Sequence, residues 1–348
     1  MGMMGFDGTF SEEELQALQI IPIEGCKKCT VFCLDDGYVM FFSSLLCSFI
    51  DHCDDAENYD LIMICDPIDR GNIAKIEQML PPNVSVRTYD PSPLIQRFFS
   101  HTQMGSQRYW SKVIFYKCFI PLVTRLYERA VYFDSDMIIN GSVEELLSYE
   151  SDGEMIAAVE DVYAPYIMLG HDRKRVQYMH DIGIGDARDY FNSGLIVFMN
   201  MNIDVCWYMG RLQEMMLNNN YLYPDQDILN AIFQGSIKKL PFKYNYQVMF
   251  GTDYVKTLAK AEGEDRSREY IEASKDPAVI HYVGPDKPWM YRHREKSDVF
   301  WQYAERTPFY DEVLDHYKVK DLNLKSLRIL IKRFLLKHCP KLLFAIKR

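Results

Sequence analysis

The 348-residue sequence has no G-x-G-x-x-G run and no G-x-x-x-x-G-K-[ST] run, which excludes the dinucleotide fingerprint and the P-loop. It also has no apolar stretch approaching the roughly 18 residues a membrane span needs. The longest, Tyr38 to Ile50, holds three serines. The opening residues, Met1-Gly2-Met3-Met4-Gly5-Phe6-Asp7, carry neither a basic nor an apolar leader region, so cleaved export is not expected. Nine cysteines are then expected to be reduced thiols of a cytoplasmic chain. Cys26-Lys27-Lys28-Cys29, with Cys33 nearby, has no second Cys/His pair at finger-like spacing, and reads as packing thiols rather than a zinc site. Cations are in deficit, 39 against 49 acids, and the net charge of −10 leaves no electrostatic footprint for nucleic acid. What is abundant is apolar: 48% hydrophobic and 14% aromatic residues exclude disorder for the bulk of the chain.

The charge is unevenly placed. From Lys325 onward there are eight basic residues and no acidic one, so residues 1–324 carry 31 basic against 49 acidic residues. In that tail Leu324, Leu327, Ile331, Phe334 and Leu335 share one helical face, with Lys325, Arg328 and Lys332 on another. A basic amphipathic helix of this kind suits an anionic membrane surface, so residues 322–348 are expected to hold the protein peripherally at the inner face of a membrane, the alternative being that the apolar face docks onto the acidic body.

Along the chain, Ser11 followed by three glutamates reads as a capped helix start. Apolar runs at Thr30–Leu34, Tyr59–Cys65 and Val84–Arg87 alternate with helical stripes at Tyr38–Ile50 and Asn72–Leu80. Strand and helix alternating at this spacing predict an α/β fold with a mainly parallel sheet, Rossmann-like in its first half. Further strands are expected at Ala130–Phe133, Met155–Val159 and Leu195–Met199, and helices at Lys112–Tyr127, Ile203–Leu217 and Gln226–Phe233. Tyr163–Tyr190 is polar with little periodicity, and Ala261–Lys275 is charged and reads as a solvated helix or loop.

Ligands of open α/β sheets bind outside the carboxyl ends of the strands, so the residues closing each apolar run carry the chemistry. Asp35-Asp36-Gly37-Tyr38 closes the first. It reads either as an Asp-capped turn or as a carboxylate for a base or ribose with Tyr38 stacking on the base. Asp134-Ser135-Asp136 closes another. In extended backbone residues i and i+2 project to one side, so both carboxylates could reach one hard cation. Phe191-Asn192-Ser193-Gly194 precedes a strand, and Asp225-Gln226-Asp227 opens a helix, where acids ordinarily serve as caps. Finally His281 ends a run that turns through Gly284 to Lys287, and an imidazole beside two carboxylates suits Mn²⁺.

Taken in order, Asp35-Asp36-Gly37-Tyr38, Tyr132-Phe133-Asp134-Ser135-Asp136, Phe191-Asn192-Ser193-Gly194, Asp225-Gln226-Asp227-Ile228-Leu229-Asn230 and His281-Tyr282-Val283-Gly284-Pro285-Asp286-Lys287-Pro288-Trp289 resemble the signature segments of family 8 glycosyltransferases. The resemblance implies a GT-A fold, with residues 1–29 a lead-in, 30–290 the catalytic domain and 291–348 a C-terminal helical region ending in the basic tail. It further implies retaining transfer of a hexose, glucose or galactose, from a UDP-sugar to a saccharide or lipid-linked acceptor, dependent on Mn²⁺ with Mg²⁺ as the alternative. Carried over by position, Asp134, Asp136 and His281 bind the metal. Asp35, Asp36, Tyr38, Lys117, Ser135, Asn192, Gly284 and Lys287 bind the donor, Asp225 and Gln226 lie at the reacting sugar, and Asp161 contacts the sugars. Two positions depart from the pattern: Gly37 stands where many relatives have Asn, and Lys117 where an Arg is usual, which keeps the charge and loses the planar fork. A UDP-sugar-binding protein without turnover would share the same metal and nucleotide residues. A D-x-D phosphatase would carry its acids at the end of the first strand, ahead of Gly-Thr or Gly-Val, unlike Met137-Ile138 here.

Overall fold

A computed structural model describes residues 11–99, 112–170, 173–217, 221–248 and 252–318. Ten strands are described: β1 (Lys28–Leu34), β2 (Tyr59–Cys65), β3 (Val84–Tyr89), β4 (Arg129–Phe133), β5 (Met137–Ile139), β6 (Ile156–Glu160), β7 (Phe191–Phe198), β8 (Ile237–Lys239), β9 (Tyr246–Gln247) and β10 (Val279–His281). Seven of them form one sheet in the order β3-β2-β1-β4-β7-β6-β8, and β5-β10-β9 form a second. The large sheet is parallel except at β7, which runs antiparallel to both β4 and β6.

The apolar runs become strands because both faces of the sheet are covered. Val31, Cys33, Ile62 and Ile64 belong to the core on one face, and Phe32, Leu34, Leu61 and Met63 to the core on the other. The strand order reverses at β1, with β2 on one side and β4 on the other. That switch point opens a crevice at the carboxyl ends of β1 and β4, where Asp35 and Asp134 stand.

One expectation is corrected. Lys112–Tyr127 is not one helix: Lys112–Phe119 forms 3-10 turns, and a short helix, Ile120–Val123, starts with Pro121 in its first turn. Proline lacks the N–H to continue a helix from upstream but suits its beginning. Tyr163–Tyr190 holds helices Ala164–Met168 and Arg173–Asp181 and a 3-10 turn, Ala187–Asp189. Arg173–Asp181 buries only Met179, too little for an apolar stripe to show in the sequence. The segment around Ala261 resolves into helices Thr252–Glu262 and Glu264–Lys275, separated by Gly263 at φ 96°.

C-terminal to β10, helix Ser297–Ala304 packs Phe300 and Trp301 with Phe41 and Trp289. No helix among the described residues is long and apolar enough to cross a membrane. The basic tail, 322–348, lies outside the described residues.

Candidate active site

The two acids of Asp134-Ser135-Asp136 converge by a route other than the extended one expected. β4 ends at Phe133, the chain turns through residues 134–136, and it re-emerges as β5 in the small sheet. The turn is pinned at both ends, since Asp134 N donates to Gly194 O (2.7 Å) and Tyr282 N to Asp136 O (3.1 Å). β5 and β10 pair antiparallel with Met137 opposite His281, so the sheet register sets the imidazole beside the acids.

Ligand-type atoms of Asp134, Asp136 and His281 lie within 4.8 Å of one another. His281 Nε2 is 3.3 Å from Asp136 Oδ1 and 3.8 Å from Asp134 Oδ2. Asp136 Oδ1 is buried and has no hydrogen-bond partner, an arrangement that costs free energy unless something positive reaches it. Two carboxylates and one imidazole, with that orphan oxygen among them, fit a divalent cation of the Mn²⁺ or Mg²⁺ type.

Two lysines frame the acids. Lys117 Nζ is buried between Asp134 Oδ1 (2.8 Å) and Asp225 Oδ2 (2.9 Å). Burial alone would pull its pKa down, but the two carboxylates outweigh burial and hold it above the usual lysine range. Lys287 pairs with Asp136 and also donates to Tyr282 O (2.7 Å). Burial would push the Asp136 carboxyl up, and the neighbouring Lys287 ammonium, the largest opposing influence, helps to hold it below the usual carboxylate range. A cavity of about 300 Å³ adjoins these groups, lined by Asp35, Tyr38, Lys117, Asp134, Ser135, Asp136 and Asp225 among others.

The remaining expected residues divide. Asp35 caps the following turn, accepting from Tyr38 N (3.1 Å), and lines the cavity as well. Tyr38 is braced edge-on by Phe41 and Trp289, and burial, with Asp136 and Asp134 nearby, raises its phenol pKa so that the ring stays neutral. Ser135 Oγ donates to Cys33 O (3.2 Å), tying the turn to β1. Asp36 Oδ1 accepts from Asp69 N and Asn72 Nδ2 (2.9 Å each), which engages it in holding the next loop. Gly284 sits at φ 76°, the left-handed turn that brings Lys287 back to Asp136.

Beside the metal-type cluster, Asp161, Asn192 and Gln226 are joined, and Ser193 Oγ links Asp225 to them by donating to its Oδ2 (3.4 Å). Asp161 Oδ2 accepts from Asn192 Nδ2 (3.2 Å) and Gln226 Nε2 (3.1 Å), while Gln226 Oε1 accepts from Ser193 N (3.0 Å). The third member of Asp225-Gln226-Asp227 does something else. Asp227 is fully buried and accepts from the hydroxyls of Tyr178 and Tyr190 and from Tyr223 N, fastening the Tyr163–Tyr190 segment to this helix. Asn230 brackets Phe191 through both backbone groups, fixing the start of β7 beside Asn192.

Sequence reasoning left three positions unassigned. Tyr132 donates its hydroxyl to Asp134 and could have been found as the same-side residue two before it. At Gly194 a Cβ would overlap the His281 ring, at 2.8 Å from Nδ1, so only glycine admits the imidazole there. Asn245, fully buried, contacts His281 Nδ1 (2.9 Å), and nothing in Lys243-Tyr244-Asn245-Tyr246 marks it.

Comparison with known proteins gives a consistent result. The family model described as Glycosyl transferase family 8 matches residues 29–293. A lipopolysaccharide 1,2-glucosyltransferase of Escherichia coli (strain K12) is 26% identical over 266 residues, covering 73% of this chain and 71% of the relative. Glycosyltransferase GlyB of Streptococcus pneumoniae serotype 4 (strain ATCC BAA-334 / TIGR4) is 32% identical over 201 residues, 56% of this chain and 42% of the relative. Among solved structures, the WbbM bifunctional glycosyltransferase superposes with a TM-score of 0.74 at 24% identity, covering 86% of this chain and 53% of that one. The galactosyltransferase LgtC, in complex with donor and acceptor sugar analogs, gives 0.62 at 20%, covering 80% and 96%. The chain thus spans about half of WbbM and less than half of GlyB. At these identities the solved structures establish the fold, which is GT-A.

Proposed function

Because the chain belongs to glycosyltransferase family 8, we infer that it moves a hexose, glucose or galactose, from a UDP-sugar to a saccharide or lipid-linked acceptor with retention of configuration. The observation that carries this reading is the cluster of Asp134, Asp136 and His281 beside the cavity at the β1/β4 switch point. Those three residues would hold Mn²⁺ or Mg²⁺, which when bound neutralises charge on the donor diphosphate.

The chain's own groups account for the rest. Asp35 and Tyr38 take the uracil end, and Gly284 and Lys287 take the diphosphate, whose charge grows as the glycosidic bond breaks. Asn192 and Asp161 hold the donor sugar. Asp225, anchored by Lys117, faces the positive charge that develops at the anomeric carbon, and the Gln226 carboxamide is aimed by Ser193 N and Asp161. An amide is a poor nucleophile, so retention is assigned to front-face attack in which the departing phosphate oxygen accepts the acceptor's proton. A sugar–protein adduct trapped in the unmodified enzyme during turnover would reject that step.

A thermal-shift panel of UDP-Glc, UDP-Gal, UDP-GlcNAc and UDP-GalNAc, with and without Mn²⁺, tests the donor reading. A shift that needs both the metal and one of the first two is expected, and no shift with any of the four overturns it. Mn²⁺-dependent release of UDP then separates an enzyme from a silent binder. The tail at 322–348 is assigned to the anionic inner face of a membrane. Flotation of the full chain with anionic liposomes, lost in a chain ending at Asn323, is expected, and equal flotation of the two rejects it.

A further inference from the structure

A chain of side-chain amides runs from the sugar side of the site to the imidazole of His281, and its ends fix its direction. Asp161 accepts only, so the Asn192 atom 3.2 Å from its Oδ2 is the Nδ2 donor. The backbone N–H of Gly194 donates only, and Asn192 Oδ1 receives it at 3.1 Å. That same Oδ1 lies 2.9 Å from Asn245, which must therefore present Nδ2. Asn245 Oδ1 is left facing His281 Nδ1 at 2.9 Å. An amide oxygen cannot donate, so Nδ1 carries the ring hydrogen.

The consequence falls on the other ring nitrogen. In the neutral imidazole, Nε2 then holds a lone pair, and it faces the partnerless Asp136 Oδ1 at 3.3 Å. Two lone pairs at that distance repel unless a proton or a metal ion lies between them. Backbone pairing holds the arrangement in place, because β9 begins at Tyr246, directly after Asn245, and runs parallel to β10 with Tyr246 beside Ile280 and Gln247 beside His281.

We propose that Asn245 is a positioning residue for His281, whose side-chain oxygen selects the Nδ1–H form and thereby aims a bare Nε2 at the cation position between Asp134 and Asp136. This rests on the reading of those three residues as a metal site. It also gives Asn192 a second task, that of passing the orientation set at Asp161 to the imidazole.

The test uses the full chain, labelled with ¹⁵N-histidine, and Mn²⁺ itself as the calorimetric probe. His281 is one of eight histidines, and its ring signals are identified by their loss in H281A. In the wild type, without Mn²⁺ and above the imidazole pKa, Nδ1 is expected at the protonated-nitrogen shift and Nε2 at the bare-nitrogen shift. N245L removes the acceptor, so the two signals move together and the Kd for Mn²⁺ rises about 10- to 100-fold. N245A carries the same expectation should N245L not fold. N245D keeps an oxygen for Nδ1 but loses the donor to Asn192, and it is expected to retain both the wild-type shift pattern and affinity close to wild type. A merely structural asparagine would instead make N245D as damaging as N245L, and that result overturns the proposal. So does wild-type affinity with unchanged ring shifts in N245L or N245A. If Mn²⁺ binds wild type and H281A alike, the metal reading itself fails, and the ring shifts alone then decide whether Asn245 sets the imidazole.

Discussion

Glu160 and Asp161 are neighbours at the end of β6, both buried, and the fold treats them oppositely. Asp161 receives three donors: Tyr163 N on one oxygen, and Asn192 Nδ2 and Gln226 Nε2 on the other. Among the described residues no N–H or O–H donor reaches either carboxyl oxygen of Glu160, which faces the Glu262 carboxyl, and Lys239 and Arg266 stand off at 3.7 and 3.6 Å. Burial, reinforced by Glu262, pushes the Glu160 pKa up to about 9. Two neighbouring buried carboxyls thus differ in the donors that reach them, and the one without donors is the one whose burial is left unanswered. One of the pair is the hub that gathers the amide donors of Asn192 and Gln226, and its neighbour, out of reach of any donor among the described residues, has its pKa raised.

The comparison breaks if removing the hub costs no more than altering its neighbour. Asp161→Ala frees both Asn192 and Gln226, and kcat/KM for the proposed hexose transfer is expected to fall by about 10²- to 10³-fold, as when a single charge-stabilising contact is lost from an active site. Glu160→Gln should leave transfer near the wild-type value. Equal losses in the two variants, measured as initial rates of UDP release with acceptor, would mean that the Asp161 network is scaffolding.

The network can also be disturbed from its far end. Gly194 N–H donates to Asn192 Oδ1, and the glycine's open face receives the His281 ring. Gly194→Ala forces the ring or β7 to move and is expected to destabilise the fold by about 1–3 kcal/mol, in the range typical of overpacked cores. Because the displaced group is the imidazole, Mn²⁺ binding measured by calorimetry should weaken alongside the melting temperature. A stability loss without any change in Mn²⁺ affinity would separate His281 from the metal.

The same contrast explains what the sequence made legible. The strands could be read because sheets covered on both faces demand near-continuous apolar runs, as in Tyr59–Cys65. The acids, the imidazole and Lys287 could be read because each closes such a run or follows it through a glycine turn. Helix Arg173–Asp181 could not, since a single buried methionine leaves no period. Asp35 and Asp36 are indistinguishable as letters, yet the first lines the cavity and the second holds an adjoining loop, a difference set by the turn that begins at Asp36 with Asp35 as its cap. Asn245 was invisible for another reason. Its partners are 36 and 53 residues away, and only the pairing of β9 with β10 brings it to His281.

The smallest expected effect concerns Glu160 itself and depends on pH. A carboxyl whose folded pKa is raised binds its proton more tightly in the native state than in the unfolded chain, where it ionises near 4.5. As pH rises from there towards 9, the unfolded state sheds the proton first and the native state must either keep it or bury a charge. Stability contributed by this group is complete below the lower value and is lost across the window. Glu160→Gln removes the proton from the balance while nearly preserving shape at a side chain with no exposure. Its melting temperature should exceed that of wild type by about 2 °C or more at pH 8.5 and fall back towards it at pH 5. Parallel melting-temperature profiles for the two proteins between these pH values would mean that Glu160 is already ionised in the native state, answered by Lys239 and Arg266, and that it differs from Asp161 only in how far its partners stand.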